Sequence, residues 1–252
     1  MSSGKLNGKI AVITGGSRGL GKAMALALAN EGAHLALLAR DENRLKAVTD
    51  EIMQAGGTAE YFLADVTDQS QVHAARQAIT RRFGQVNILI NNAGINIRKP
   101  LTEYTLAEWH QVMNANLTSV YLMCHAFIPH MTGRGYGRIL NMTSMLSHVA
   151  LPGRVAYCTS KAGLLGFTKA LALELSSEKI TVNGISPGPF GTEMNQVIIQ
   201  NPEANQQFLD NLPVNRWGNV KEIGALAVFL CSEDAGFITG TDMVIDGGWT
   251  AR

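Results

Sequence analysis

Cysteine is scarce in this chain, with only Cys124, Cys158 and Cys231, and none of them stands at a spacing that pairs metal ligands. So low and odd a count excludes a disulfide framework and fits a reducing compartment. Proline is sparse too, seven in 252 residues, and no Pro- or Ser-rich linker divides the chain, so one domain is expected over residues 1–252. An excess of either charge is missing: the formal net charge is +1, which argues against a nucleic-acid partner and a charged tail. No apolar run reaches the length of a membrane span. The opening "MSSGKLNGK" is short and polar, without an apolar signal core. Two glycosylation-like triplets, in "NLTS" and "NMTS", therefore read as coincidence. The expectation is a soluble cytoplasmic protein without a nucleic-acid or membrane partner.

Apolar content is ample, 46% against 16% charged, enough for a sizeable core. It comes in short runs that alternate with longer amphipathic stretches. "KIAVITG", "HLALLA", "AEYFLAD", "VNILINNAG", "GRILNMTS", "ITVNGISPG" and "DMVIDGG" read as strands. Between them, "GKAMALALANEGA", "DENRLKAVTDEIMQAGG" and "DQSQVHAARQAITRRFG" read as helices. A long helix over 106–131 follows, then others over 155–176 and 220–231. Strands apolar on both faces belong in a parallel sheet covered by helices, and strict alternation gives a doubly wound α/β fold. The stretch 188–216 breaks the rhythm and holds Pro189, Pro202 and Pro213, which reads as a lid or as a plain surface excursion.

"TGGSRGLG", residues 14–21, closes the first strand and opens the first helix. Gly15 permits the sharp turn, while Gly19 and Gly21 permit close backbone approach and helix packing. A helix N-terminus at that place offers N–H groups and a partial positive charge to a pyrophosphate. The second strand ends in Ala39 and Arg40 rather than in a carboxylate. A carboxylate there would bind ribose hydroxyls and select NAD, whereas Arg40, with Arg18 as a second cation, suits a 2′-phosphate. NADP(H) is therefore expected in preference to NAD(H), the alternative being that both arginines are solvated surface charges. Asp41 lies past the tip and reads as a helix cap.

The glycine turn, "NNAG" at 91–94, Asn116, Ser144, and Tyr157 four residues before Lys161 occur in an order that resembles the short-chain dehydrogenase/reductase family. Ser144 precedes Tyr157 by thirteen positions, and "SPG" and "DGG" stand where that family has them. The likeness runs from about Lys9 to Gly248. It implies a single-domain Rossmann fold with a seven-stranded parallel sheet, a nicotinamide cofactor and a homotetramer joined through the helices at 106–131 and 155–176. Asn116, Ser144, Tyr157 and Lys161 become the candidate catalytic set. Tyr157 and Lys161 lie one helical turn apart on one face, so the ammonium is expected to favour phenolate and lower the tyrosine pKa. The tyrosine would then be the general acid in reduction and the base in oxidation, with Ser144 holding the substrate oxygen and Asn116 anchoring a water that links Lys161 to solvent. For the cofactor the resemblance implies Gly15, Ser17, Arg18, Gly19, Leu20, Gly21, Arg40, Asp65, Val66, Asn92, Ala93, Gly94, Tyr157, Lys161, Pro187, Gly188 and Thr192. Asp65 and Thr192 have a plainer alternative as helix caps.

The substrate wall is expected from segments 95–100 and 145–154 and from the lid, with Arg98, Met145, His148, Arg154, Phe190 and Met194 as candidates. "NAGINIRKPLTEYTLAEW", "GTEM", "NRWG" and "IDGGWTAR" resemble the branch of gluconate 5-dehydrogenase and 2-deoxy-gluconate 3-dehydrogenase. That implies a sugar or sugar-acid substrate, whose carboxylate Arg98 or Arg154 could clamp. Alternatively Arg98 pairs with Glu103 or Glu108, and Arg154 faces solvent. Two other readings stay open: an NADPH-dependent reductase of other ketones or of 3-oxoacyl thioesters, and a non-catalytic NADP-binding regulator.

Overall fold

The computed structural model describes residues 4–251, without the side chains of Met194 and Val197. The apolar runs form β1 (Ile10–Thr14), β2 (His34–Ala39), β3 (Thr58–Leu63), β4 (Ile88–Asn91), β5 (Gly137–Met142), β6 (Ile180–Pro187) and β7 (Asp242–Ile245). The helices are α1 (Gly19–Asn30), α2 (Glu42–Gln54), α3 (Gln69–Phe83), α4 (Leu106–Met113), α5 (Ser119–Phe127), α6 (Val155–Leu175), α7 (Gln196–Ile199), α8 (Pro202–Leu209) and α9 (Val220–Cys231). Every strand pairing is parallel, in the order β3-β2-β1-β4-β5-β6-β7. The chain thus winds outward one way from β1 and then returns to wind the other way from β4. Loops diverge at that reversal and leave a crevice over the carboxyl ends of β1 and β4, where ligands bind in open α/β sheets.

Two apolar layers hold the sheet. Ala11 and Ile13 face Met24 and Leu28 of α1 and Ile223 and Leu230 of α9. Val12, between them, faces the other way, into the layer of Val72 and Ile79 of α3 and Val120 and Met123 of α5. Alternation along one strand therefore feeds both layers. Burying each such side chain contributes about 1.5–3 kcal/mol. α1 and α9 meet closely because position 224 is glycine: a Cβ there would lie 2.8 Å from the Ala27 methyl.

Local signals place the helix starts. Asp41 caps α2 through the Arg44 amide (3.1 Å), and Asp68 caps α3 through the amides of Ser70 and Gln71 (2.8 and 3.1 Å). Thr105 with Glu108, and Asn219 with Glu222, form reciprocal boxes at α4 and α9. The helix expected over 106–131 is not uniform. A π-turn at Asn114–Thr118 separates α4 from α5, and Asn116 stands in it, fully buried. Nothing in the apolar period of the sequence marks that turn, because one extra residue shifts the helix face without ending the helix. The segment 188–216 carries α7 and α8. Phe208 of α8 stacks on Trp217 (4.7 Å between centroids) and tilts against Trp249 (5.3 Å).

Candidate active site

Thr14, the last residue of β1, ties the two sides of the crevice together. Its hydroxyl accepts from the amides of Asn92 (2.9 Å) and Ala93 (3.0 Å), and the Asn92 carboxamide donates back to the carbonyls of Thr14 and Gly15 (2.9 and 3.1 Å). The glycine turn is packed as tightly as a turn can be. Gly15 has φ +64°, and a Cβ on Gly21 would overlap the Gly15 carbonyl and lie 2.5 Å from the Asn92 amide nitrogen. Unlike α2, α3, α4, α8 and α9, α1 has no side-chain cap on its first amides, although Arg18 stands at the cap position. An uncapped helix start at the sheet's reversal point, with glycines stripping side chains from its approach, fits a diphosphate. This is the structural test of a dinucleotide cofactor, and the residues present fit it. Thr192, in the segment after β6, reaches back over Gly19, its methyl 3.9 Å from where a Cβ would stand. Arg44 of α2 pairs with Glu193 beside it (2.9 Å).

Around the adenosine side, Arg40 is exposed and its guanidinium is 3.3 Å from Asp65. Asp65 also accepts from the Thr67 amide and hydroxyl (2.9 and 2.7 Å), which closes a tight turn after β3. Those hydrogen bonds and Arg40 hold its carboxyl below the usual range against the opposing effect of burial. The alternative that Asp65 caps the next helix does not hold, since Asp68 is that cap. Thr192 likewise makes no side-chain cap.

At the other end of the crevice, β5 delivers Ser144 and α6 delivers Tyr157 and Lys161. α6 is pinned to the sheet by a buried chain of amides: Asn91 donates to Asn141 (2.9 Å), which donates to Thr168 of α6 (2.9 Å). Asn116 fixes α6 from a third side. Its carboxamide donates to the Ile95 carbonyl (2.9 Å) and to the Ser160 hydroxyl (3.0 Å), and accepts from the Ile95 amide (2.8 Å). A Cβ on Gly94 would come within 2.9 Å of the Asn116 oxygen and 3.6 Å of Lys161 Nζ, so loop, π-turn and lysine share one small volume.

The Tyr157 pKa is raised, not lowered. Burial pushes it up, while the Ser144 hydroxyl and the charges of Arg98 and Arg154 offset part of the rise. Lys161 Nζ gives one of its three protons to the Met142 carbonyl (2.5 Å) and stands 5.8 Å from the Tyr157 ring centroid. Burial of that ammonium lowers its own pKa to about 8. Helical spacing put the two side chains on one face, and the β5 carbonyl beneath them takes one of the three ammonium protons.

The substrate candidates divide. Arg98 and Arg154 both act on Tyr157, and burial together with the Arg98 charge lowers the Arg154 pKa. Neither makes an ion pair among the described residues; Glu108 is taken by Lys99 instead (2.6 Å), so the expected structural pairing of Arg98 is absent. Met145 is buried in the turn that follows Ser144. Phe190, expected on the substrate wall, is only 4% exposed and lies in the α1/α9 core layer, where its ring fills the space left by Gly218. His148 is turned to Asp242 of β7 (2.6 Å) rather than to Tyr157. Met194 lies outside the described side chains. No group of His, Cys, Asp or Glu among the described residues could hold a metal ion, and none of their helices is long and apolar enough to cross a membrane.

A parallel sheet with this crevice, this helix start and this serine–tyrosine–lysine cluster defines a dinucleotide-binding oxidoreductase. Comparison with known proteins makes the class specific. Residues 15–250 match a family model described as enoyl-(acyl carrier protein) reductase. The chain is 37% identical over 243 residues to the 3-oxoacyl-(acyl-carrier-protein) reductase FabG of Haemophilus influenzae, covering 96% of this chain and 98% of that one. It is 36% identical over 245 residues to the gluconate 5-dehydrogenase of Gluconobacter oxydans, covering 97% and 96%. Its fold superposes on the crystal structure of a gluconate 5-dehydrogenase from Burkholderia cenocepacia in complex with NADP and tartrate, with TM-score 0.93, 34% identity and coverage of 98% and 97%. The chain belongs to the short-chain dehydrogenase/reductase family, and it is an oxidoreductase acting on CH–OH groups with a nicotinamide cofactor.

Proposed function

We propose that this protein interconverts a ketone and a secondary alcohol on a sugar or sugar acid, using NADP(H) in preference to NAD(H). The observation that carries the substrate class is the pair of guanidiniums, Arg98 and Arg154, whose charges both act on Tyr157 and on each other and which make no ion pair among the described residues. Two such cations left together repel each other, and a substrate carboxylate would relieve that cost with charge-assisted, bidentate bonds. The tartrate in the Burkholderia cenocepacia relative is a hydroxy acid of the same chemistry. FabG-like similarity supports a second reading, reduction of a 3-oxoacyl thioester.

In this reading the backbone N–H groups of Gly15 to Gly21, with Ser17 and Leu20, receive the pyrophosphate. Arg18 and Arg40 receive the 2′-phosphate, and Asp65 with Val66 the adenine. Asn92, Ala93 and Gly94 line the ribose, and Pro187, Gly188 and Thr192 lie along the nicotinamide. Bound NADPH supplies the hydride. Tyr157, whose raised pKa keeps it protonated at neutral pH, gives its proton to the carbonyl oxygen in reduction and takes it back in oxidation. Ser144 holds that oxygen beside the phenol. Lys161 would hydrogen-bond the nicotinamide ribose. Both Asn116 amide protons are engaged, one with the Ile95 carbonyl and one with the Ser160 hydroxyl.

The purified protein should oxidise NADPH with 5-ketogluconate. Removing both guanidiniums, Arg98→Ala with Arg154→Ala, should raise KM about thirtyfold while kcat changes much less, since a carboxylate held equally in ground and transition states is lost. Turnover of acetoacetyl thioester alone would move the protein to the second reading, and an unchanged KM in the double variant would remove the clamp.

A homotetramer follows the family. What supports it is exposed apolar surface at two places: Leu106, Tyr121 and Leu173 on α4, α5 and α6, and Phe237 with Val244 beside the open edge of β7. Light scattering should report a particle of four times the 27.1 kDa chain mass; a monomer would end that proposal.

A further inference from the structure

Asp242, the first residue of the edge strand β7, is a nearly buried carboxylate far in sequence from Ser144, Tyr157 and Lys161. Its register partner on β6 is Gly184. A Cβ at Gly184 would overlap the Asp242 carboxylate, so the missing side chain is what lets the acid fold across β6 toward the end of β5. There it accepts three hydrogen bonds. Thr143 Oγ1 donates to Oδ1 (2.6 Å), and Ser186 Oγ (2.5 Å) and His148 Nε2 (2.6 Å) both lie on Oδ2.

Those partners bracket Ser144. Thr143 precedes it, and the Ser186 hydroxyl also lies 2.9 Å from the Ser144 carbonyl and 2.9 Å from Thr143 Oγ1. The Ser144 hydroxyl caps the following turn through the Leu146 amide (3.1 Å), and His148 closes that turn, its amide bound to Met145 (3.0 Å). Both ends of the six-residue segment that carries Ser144, Thr143 and His148, are thus tied to one carboxylate. A buried carboxylate is tolerated only when its lone pairs are filled, so the three donors and the acid hold one another in place.

We propose that Asp242 and His148 are positioning residues that set the Ser144 hydroxyl against Tyr157. Neither touches the reacting atoms; they act through the Ser144 turn. This rests on the reading that Ser144 and Tyr157 are the reacting groups. His148 is thereby a strut, held 2.6 Å from the acid, rather than part of the substrate wall.

Asp242→Asn and His148→Ala should each lower kcat for ketone reduction about tenfold, with the NADPH Kd unchanged, because one hydrogen bond to a charged group is lost. His148→Gln, which keeps a donor, should recover most of that loss. A second readout does not need the right substrate. NMR of protein carrying isotope-labelled tyrosine, with the Tyr157 signal assigned by its absence in Tyr157→Phe, reports the Ser144–Tyr157 contact directly. Ser144→Ala should move that signal, and Asp242→Asn should move it in the same direction. Should Asp242→Asn fail to fold, Thr143→Val and His148→Ala carry the same test. An unmoved Tyr157 signal in folded variants overturns the proposal even if the substrate reading is right. Wild-type inactivity toward every ketone, with the signal moved as expected, counts against the substrate reading and leaves the positioning role supported.

Discussion

Tyr157→Phe will lower NADPH-dependent ketone reduction about a thousandfold, while the NADPH Kd stays within about twofold. The phenol is hydrogen-bonded to Ser144 and feels the charges of Arg98 and Arg154. Phenylalanine keeps the ring and its packing and removes only the proton and its acceptor. The ring helps line the half-covered cleft, so the fold should lose little, less than about 1 kcal/mol. The direction of the pKa shift adds a detail. A phenol raised above its ordinary value stays protonated through neutral pH, so the acid form needed for reduction is fully populated there. Because Lys161 has a pKa of about 8, its charge fades as pH rises through that value, and the support it could lend to a phenolate fades with it. Initial rates in both directions, with cofactor affinity by fluorescence, check the prediction; a variant that turns over like the wild type removes Tyr157 from the mechanism.

Arg40→Asp will weaken NADPH about a hundredfold and leave NADH within a few-fold of the wild type. Arg40 is exposed and loosely tied, its one ion pair among the described residues being the 3.3 Å contact with Asp65. So weak a surface pair costs little to break, and the guanidinium is available to a 2′-phosphate. Aspartate in its place would bring a second carboxylate beside Asp65, repelling the phosphate while accepting from a ribose hydroxyl. Asp65 loses a partner that lowers its pKa and should titrate higher in the variant. Titration of both cofactors separates the outcomes. Equal loss for both would mean that the substitution only disturbs the turn after β2, and Arg40 would lose its assignment as the phosphate reader.

Much of the architecture was legible in the one-dimensional pattern. β1 is apolar at every position but its last, as a strand covered on both faces must be, and α9 begins and ends where its period and caps place it, at Val220 and Cys231. Asp41 caps α2 as its place before an amphipathic run suggests. The long helix over 106–131 was legible as a helix but not as an interrupted one.

Side-chain partners were much less legible. Phe190 looked like a lid residue and is core, because Gly218, twenty-eight positions on, leaves its ring a place to fill. Lys161 lies beside Tyr157 as helical spacing suggests, but its hydrogen bond to Met142 on β5 had no signal in that spacing. Arg98 had acids within reach in sequence, but Lys99 takes Glu108 first. His148 has no acidic neighbour in sequence at all and binds Asp242, ninety-four positions away.

The sequence by itself determined the alternation of strands and helices, the glycine turn and the order of Ser144, Tyr157 and Lys161, since periodicity, capping and turn chemistry act over a few neighbouring residues. Only the tertiary structure decided which donor meets which acceptor at the site. Those choices depend on strand register and on the space left by glycines in other strands, as Gly184 beside Asp242 shows, and that information is spread over residues that meet only once the sheet is assembled.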